Sequence, residues 1–452
     1  MHTAPDRELY RQRRRRVMKA MAEGVMVIAT APEAVRNRDA YYPYRPDSYF
    51  WWLTGFPEPE AVVVLVAGKR PKQYLFCREK NPEREIWDGF RWGPKDARAA
   101  YGFDAAWPIE QLDRRLPGLL ENQPQVSYLI GQNPAWDNRV AGWLNSVRDK
   151  ARTGVRAPAA LTDARALLDE FRLFKDAHEL AMMRRAADIS AEAHRRAMQA
   201  CRPGAHEYEI EAELLHAFRQ GGSEAPAYTS IVAGGANACI LHYVFNNRPL
   251  NDGDLLLIDA GAEYAGYAAD ITRTFPVNGR FSPAQKDAYE IVLAAQAAAI
   301  AEVRPGNGWN APHEAAVRVL VQGMKDLKLL KGRIDGLIES GAYRRFYMHR
   351  TGHWLGLDVH DAGEYKLAGD WRTLQPGMTL TVEPGLYIRP GTGVPRRLHD
   401  IGIRIEDDVL VTETGCEVLT AAAPKTVAEI EATMRGAARP HRAAAGARRR
   451  GA

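Results

Sequence analysis

Between Leu255 and Val277 the chain reads LLLIDAGAEYAGYAADITRTFPV, two apolar strand-like runs joined by a short segment containing Gly266, with one aspartate in each run. Such patterning predicts an antiparallel hairpin. With the turn centred on Tyr264 and Ala265, Asp259 faces Asp270 across the pair. Opposed side chains there have Cβ atoms roughly 4.5–5.5 Å apart, so two carboxylates repel strongly unless protonated or neutralised. Two divalent ions about 3.5–4 Å apart would neutralise both. The plainer alternative is that one aspartate caps a turn or faces water.

Three further segments carry residues of the same chemistry. In MHRTGHWLGLDVHDAG, His349, His353 and His360 fall close together, beside Gly352 and Gly356, which let a backbone approach a ligand. In TLTVEPGLYI and IGIRIEDDVLV, Glu383 and Glu406 interrupt β-branched runs. A glutamate is costly to bury in such a strand unless it is paired or bound to metal, although Glu406 alone could face water. Taken together, four carboxylates and an imidazole form a hard, oxygen-rich donor set suited to paired divalent ions.

The remaining pattern suggests how this set is carried. GVMVIATA (Gly24 to Ala31), AVVVLVAG (Ala61 to Gly68), KQYLFC (Lys72 to Cys77) and VSYLIGQ (Val126 to Gln132) are strand-length apolar runs, as expected of a mostly buried sheet in an α/β domain. The aromatic, proline-punctuated segment PYRPDSYFWWLTGFPEPE is too rich in breakers for a long helix. Composition changes near Arg156 to Thr162, helical periodicity follows, and the domain boundary is expected around Thr162 to Arg172. Helices are expected near Glu207 to Gln220, Pro283 to Val303 and Pro312 to Leu330, and strands at Asp254 to Ala260, Tyr267 to Val277, Met378 to Ile388 and Ile401 to Thr412. Ser282, Pro283 and Gln285 mark one helix start as a capping box.

Charge narrows the choice of partners. The formal net charge is +5, but the last eighteen residues, RGAARPHRAAAGARRRGA, hold six arginines and no acid. Taking those six away leaves the body at −1, which gives no reason to expect a nucleic-acid partner, and the basic Ala/Gly-rich tail reads as disordered. Arg13 to Arg16 read as one solvated helix face. No apolar run is long enough for a membrane span. No apolar stretch with a cleavage site follows the N-terminal arginines, and a cytoplasmic protein is expected. Cys77, Cys201, Cys239 and Cys416 are widely spaced without a CxxC pair, so reduced thiols are expected.

The motifs IDAGAEYAGYAADITRTFPV, HRTGHWLGLDVHDAG, VEPGLYI and GIRIEDD resemble, in order and spacing, the successive metal-site motifs of the Xaa-Pro aminopeptidase (aminopeptidase P) family of the pita-bread metallopeptidase superfamily. YPYRPDSYFWWLTGFPEPEAVVVL and EIWDGFRWGPKDA resemble its N-terminal segment, so the likeness covers roughly residues 5 to 430. The resemblance implies an α+β fold: an N-terminal α/β domain (1–165), a C-terminal pita-bread (creatinase/aminopeptidase) catalytic domain (166–434) and a basic disordered tail (435–452).

For function, the resemblance implies hydrolysis of the bond between an N-terminal residue and a penultimate proline. It implies two divalent ions per subunit, manganese first and zinc or cobalt as alternatives, and a bridging water or hydroxide as nucleophile. Asp259 would chelate one ion, Asp270 and Glu406 would bridge both, and His353 and Glu383 would complete the second ion's shell. Glu383 would also pass the water's proton, His242 would stabilise the developing oxyanion, and His360 would contact substrate and help move a proton to the leaving nitrogen. His349, Arg404 and Tyr387 would line the proline side, and Trp87 would reach a neighbouring subunit's site. The expected partners are a peptide with proline second and further copies of the chain, as a homo-dimer or homo-tetramer, with no nucleic acid and no membrane. Arg350 departs from the family pattern, standing where many superfamily members have glycine. An Xaa-Pro dipeptidase would share the metal set and differ in accepting only dipeptides.

Overall fold

The computed structural model describes residues 6–436. The chain divides into two compact units between Arg172 and Leu173. The expected tail lies outside the described residues, except that Arg435 and Gly436 close the helix Val427–Gly436. All four cysteines are free. Among the described residues no helix is long and apolar enough to cross a membrane.

The four apolar runs of the first unit lie in one six-stranded mixed sheet, ordered Ala105–Pro108, Lys72–Cys77, Val62–Ala67, Gly24–Ala29, Gln125–Tyr128, Ala160–Asp163. Val62–Ala67 is antiparallel to both neighbours, and the outer pairings are parallel. Strands with both faces covered need continuous rather than alternating hydrophobicity, and Val62 to Leu65 are all buried. The aromatic segment forms only the short helix Ser48–Thr54, capped by Asp47 and ended by a left-handed Gly55. The helix Arg165–Leu173 belongs with this unit as far as Arg172, since Asp169 accepts from the Tyr49 hydroxyl and Phe171 packs on Trp52.

The arginine run departs from expectation. Successive helical residues turn by about 100°, so four in a row cannot share one face, and Arg13 and Arg14 point inward. Arg14 donates to the Leu53, Tyr101 and Gly102 carbonyls and to Gln73, while Arg13 stacks on Trp52 and donates to its carbonyl. These arginines pin the helix Arg7–Met21 to the C-terminal ends of the helices Ser48–Thr54 and Gly93–Tyr101.

In the second unit the helices Ala177–Ala200, Glu207–Gln220, Pro283–Ala301 and Ala311–Asp326 pack in pairs around short sheets. The Ser282 box is formed, its hydroxyl accepting from the Gln285 N–H while Gln285 Oε1 accepts from the Ser282 N–H. Leu214, Val292 and Leu320 join Leu256, Val382 and Leu386 in one core.

Three expected strands are each broken in two. Tyr267–Ala268 and Thr272–Pro276 are separated by Ala269, Asp270 and Ile271. Thr379–Val382 and Gly385–Ile388 are separated by Glu383 and Pro384, and Ile401–Arg404 and Asp407–Val411 by Ile405 and Glu406. At each break the chain changes partners. Thr379–Val382 pairs with Asp407–Val411, whereas Gly385–Ile388 pairs with Ile401–Arg404.

The Asp-bearing hairpin turns one residue later than the sequence suggested. Tyr264 pairs with Tyr267, and Ala265 and Gly266 make a two-residue turn with φ of 51° and 84°. Such a turn needs positive φ at both positions, which small Ala and Gly accept more readily than Tyr264 would. Asp259 therefore faces Thr272, not Asp270.

Candidate metal centre and active site

The corrected register still brings the two aspartates together. Thr272 is opposite Asp259, so Asp270, two residues earlier, is its diagonal neighbour on the same face. The backbone between them is tight: a Cβ on Gly261 would lie 1.7 Å from the Ala269 carbonyl oxygen, so only glycine admits this approach. The Tyr228 hydroxyl lies 2.6 Å from Asp259 Oδ1 and 2.5 Å from Asp270 Oδ1, one proton between two acceptors. Asp259 Oδ2 is held by Arg404 Nη2 at 2.6 Å, and the Asp270 N–H donates to Asp408 Oδ2 at 3.1 Å.

His353 approaches from the glycine-broken loop. Its Nδ1 bonds the Trp354 carbonyl at 3.0 Å, which fixes the ring and leaves Nε2 directed at the acids. Nε2 is 3.4 Å from Asp270 Oδ2 and 3.7 Å from Glu383 Oε1. Glu383 precedes Pro384, so its backbone is steered to an extended conformation, and its N–H donates to the Thr351 carbonyl at 2.8 Å. Glu406 Oε2 accepts from Thr272 Oγ1 at 2.6 Å.

Burial sets the electrostatics. It pushes Glu383 up to about 7, against the attraction of His353 and Arg404. Burial and then the charge of Asp259 raise Asp270, and burial and then Asp270 raise Glu406 well above the carboxylate range. For His353 burial works downward, but the Asp270 hydrogen bond and the Glu383 and Asp270 charges outweigh it and raise the ring to about 9. Carboxyls held this far toward neutrality mean that Arg404 and His353 leave the cluster short of positive charge. A divalent cation would meet that deficit. Asp270, His353 and Glu406 each offer a ligand atom, all within 4.8 Å of one another, so the donor set fits a cation of the hard or borderline class. Asp259 and Glu383 stand outside that group of three, Asp259 turned toward Arg404.

The cluster opens into a cavity of about 440 Å³. It is lined by all five expected ligands and by His242, His349, His360, Arg404 and Arg350. The His360 ring stands edge-on to His353 with centroids 4.2 Å apart. His349 Nε2 meets the Tyr387 hydroxyl at 2.8 Å, and burial, then Arg404, lowers its pKa to about 3. Tyr387 is buried behind the wall and joins His349 to Arg404, whose Nη1 donates to its hydroxyl at 3.0 Å. Arg404 is itself buried and committed to Asp259, Tyr387 and Thr272. Trp87 is not among these lining residues. It lies in the other unit, on the helix Pro82–Asp88, and is 82% exposed.

Tyr228, Thr272, Thr381 and Asp408 escaped the sequence reading. Thr381 accepts the His353 N–H at 3.1 Å. Thr272 and Thr381 are ordinary strand hydroxyls until the breaks beside them aim them at the acids, and Tyr228 lies in the connection between the strands Ala225–Pro226 and Ile231–Gly234, with no local signal. For Asp408 there was a faint signal, since an acidic pair follows Glu406 in IEDD.

Residues 181–413 match the model of metallopeptidase family M24, and residues 10–128 match that of the aminopeptidase P N-terminal domain. The Xaa-Pro aminopeptidase of Escherichia coli K12 is 46% identical over 431 residues, which is 95% of this chain and 98% of that protein. The structure of Pseudomonas aeruginosa aminopeptidase PepP is similar at a TM-score of 0.94 and 53% identity, covering 96% of this chain and 99% of the other. A zinc-substituted E. coli aminopeptidase P in complex with product matches at 0.94 and 45% identity, covering 96% and 100%. The α+β arrangement, an N-terminal α/β domain followed by a pita-bread domain, is the fold these structures share with the chain.

Proposed function

Because the chain belongs to the Xaa-Pro aminopeptidases of metallopeptidase family M24, we propose that it frees an N-terminal residue from peptides with proline second, using two divalent ions per subunit and a water shared between them as nucleophile. The observation that carries this reading is the meeting of Asp270, His353 and Glu406 ligand atoms within 4.8 Å on the wall of a substrate-sized cavity. Asp259 and Glu383 line the same cavity and would complete the set: Asp259 would hold one ion, His353 and Glu383 would hold the other, and Asp270 and Glu406 would serve both. Manganese is the first candidate, with zinc or cobalt as alternatives. When bound, the ions supply Lewis acidity, which lowers the pKa of the attacking water toward neutrality.

The side chains do the rest. Glu383, on the cavity wall beside His353, is placed to take and return a proton. His242, on the cavity wall, donates to the substrate carbonyl oxygen as charge develops there. His360 passes a proton toward the leaving proline nitrogen. His349, its pKa lowered to about 3 chiefly by burial, stays neutral and is held by Tyr387, so it offers the proline ring a wall that carries no charge. Arg404 fixes both Asp259 and Tyr387. In this reading the second unit is the catalytic domain. Exposed Ile86, Trp87 and Phe90 in the first unit support association of copies as a homo-oligomer.

The test is product analysis on an Xaa-Pro-Xaa peptide, its Xaa-Pro dipeptide and an Xaa-Ala-Xaa control, with chelator-treated protein before and after metal addition. Metal-dependent release of the first residue from the proline tripeptide is expected. Cleavage of the dipeptide alone would make the enzyme a prolidase, and no cleavage with manganese, zinc or cobalt would overturn the reading.

A further inference from the structure

The catalytic cavity has opposite charges at its floor and its rim. Asp259, Asp270, Glu383 and Glu406 stand at the floor, and Arg404 there is consumed by Asp259. Arg350 is the other arginine on the lining, and it is exposed. Its guanidinium forms no ion pair with a carboxylate among the described residues; one nitrogen, Nη2, donates to Asn310 Oδ1. The Asn310 amide nitrogen donates in turn to Glu314 Oε1 at 2.5 Å, which orients the amide with its oxygen toward the arginine. The Arg350 guanidinium also lies over the Trp371 ring, 5.0 Å from its centroid, and Lys366 Nζ lies 4.4 Å from the same ring. The cation is therefore held in place by an amide and an indole, neither of which neutralises it, and its other donors make no hydrogen bond among the described residues.

A peptide whose first bond lies against the carboxylate cluster at the floor leaves its far end toward the rim, where Arg350 stands. Arg350 directly follows His349, the residue placed above on the proline side. We propose that Arg350, supported by Trp371 and Lys366, forms a carboxylate-binding subsite for the leaving portion of a short peptide. This rests on the peptidase reading and adds to it a preference for an acidic group just beyond the proline. Planar guanidinium suits bidentate contact with a carboxylate.

The carboxylate could be the chain terminus or an acidic side chain, and two matched substrate pairs separate them. One pair is Xaa-Pro-Ala as free acid and as amide; the other is Xaa-Pro-Glu amide and Xaa-Pro-Gln amide. In at least one pair the acidic member should have the higher kcat/KM, by about three- to tenfold, expressed mainly in KM. That ratio should shrink as salt is raised. It should fall to about one in Arg350→Met and be partly retained in Arg350→Lys. Ratios of one for both pairs in the natural chain, or a ratio unchanged in Arg350→Met, overturn the proposal. Should Arg350→Met fail to fold, the salt dependence and the lysine variant decide alone. Failure of the natural chain to cleave any of the four peptides would defeat the peptidase reading itself, a result distinct from cleavage without acid preference.

Discussion

His353 Nε2 and Asp270 Oδ2 face each other at 3.4 Å. The contact helps raise the histidine to about 9, overcoming the effect of burial, and a metal ion must displace that proton to use the nitrogen. In metal-stripped protein, His353 contributes stability that is fully present below the ordinary pKa of about 6.5 and is lost as pH rises toward 9. Glu383, raised to about 7, acts in the same direction from about 4.5 upward. His349 and His313, lowered chiefly by burial to about 3 and about 4, act oppositely, but only below about 6.5. Stripped protein should therefore melt at lower temperature as pH rises from about 6.5 to 9, while the increase in Tm on adding manganese should grow. Differential scanning fluorimetry across that range checks both, and a manganese shift that shrinks with rising pH contradicts the assignment of these residues as ligands.

Asp270→Ala removes a carboxylate that meets His353 and Tyr228 and stands diagonal to Asp259. Activity should fall by more than the roughly 10–100-fold typical of outer partners of a metal site, and the manganese-induced Tm increase should be lost or greatly reduced. Steady-state kinetics at saturating metal is the check, and near-normal turnover refutes the ligand set.

Thr272→Val isolates an outer partner. The Thr272 hydroxyl donates to Glu406 Oε2 at 2.6 Å while receiving the Arg404 Nε–H at 3.1 Å. Its loss should weaken metal affinity by about 10–100-fold and leave the circular dichroism spectrum intact. Metal titration by calorimetry reads the effect directly, and an unaltered affinity would show that Glu406 needs no orientation.

Lys175→Met tests a buried pair beneath the histidine loop. Lys175 Nζ meets Asp361 Oδ2 at 2.9 Å with both side chains 1% exposed, and Asp361 follows His360. Removing the ammonium from this buried carboxylate should cost about 3–5 kcal/mol, whereas Lys175→Met with Asp361→Leu should recover much of it. Urea melts of both variants separate an uncompensated charge from a simple packing loss.

The site was more legible than the local geometry that builds it. Asp259 and Asp270 stood out because acids in apolar strands demand a reason, and their same-face relation survived a turn one residue later than expected. Glu383 and Glu406 were expected within continuous strands, yet both occupy breaks where the chain changes sheets. Such switches depend on which segments pair over long range, which local hydrophobic runs do not record. The same limit hid Tyr228 and Thr272. For Arg13 and Arg14, charge suggested solvent, whereas helical geometry and carbonyl acceptors at the ends of distant helices drew them inside. Trp87 is exposed on the first unit, and nothing local to its helix specifies what it meets.

The most direct measurement is a titration of stripped protein with manganese while following release of the first residue from an Xaa-Pro-Xaa peptide. Cleavage should be absent at the start and should climb to a plateau near two equivalents per chain, with no release from the alanine control. Full activity in the stripped protein, or a saturated metal site without cleavage before proline, would contradict it.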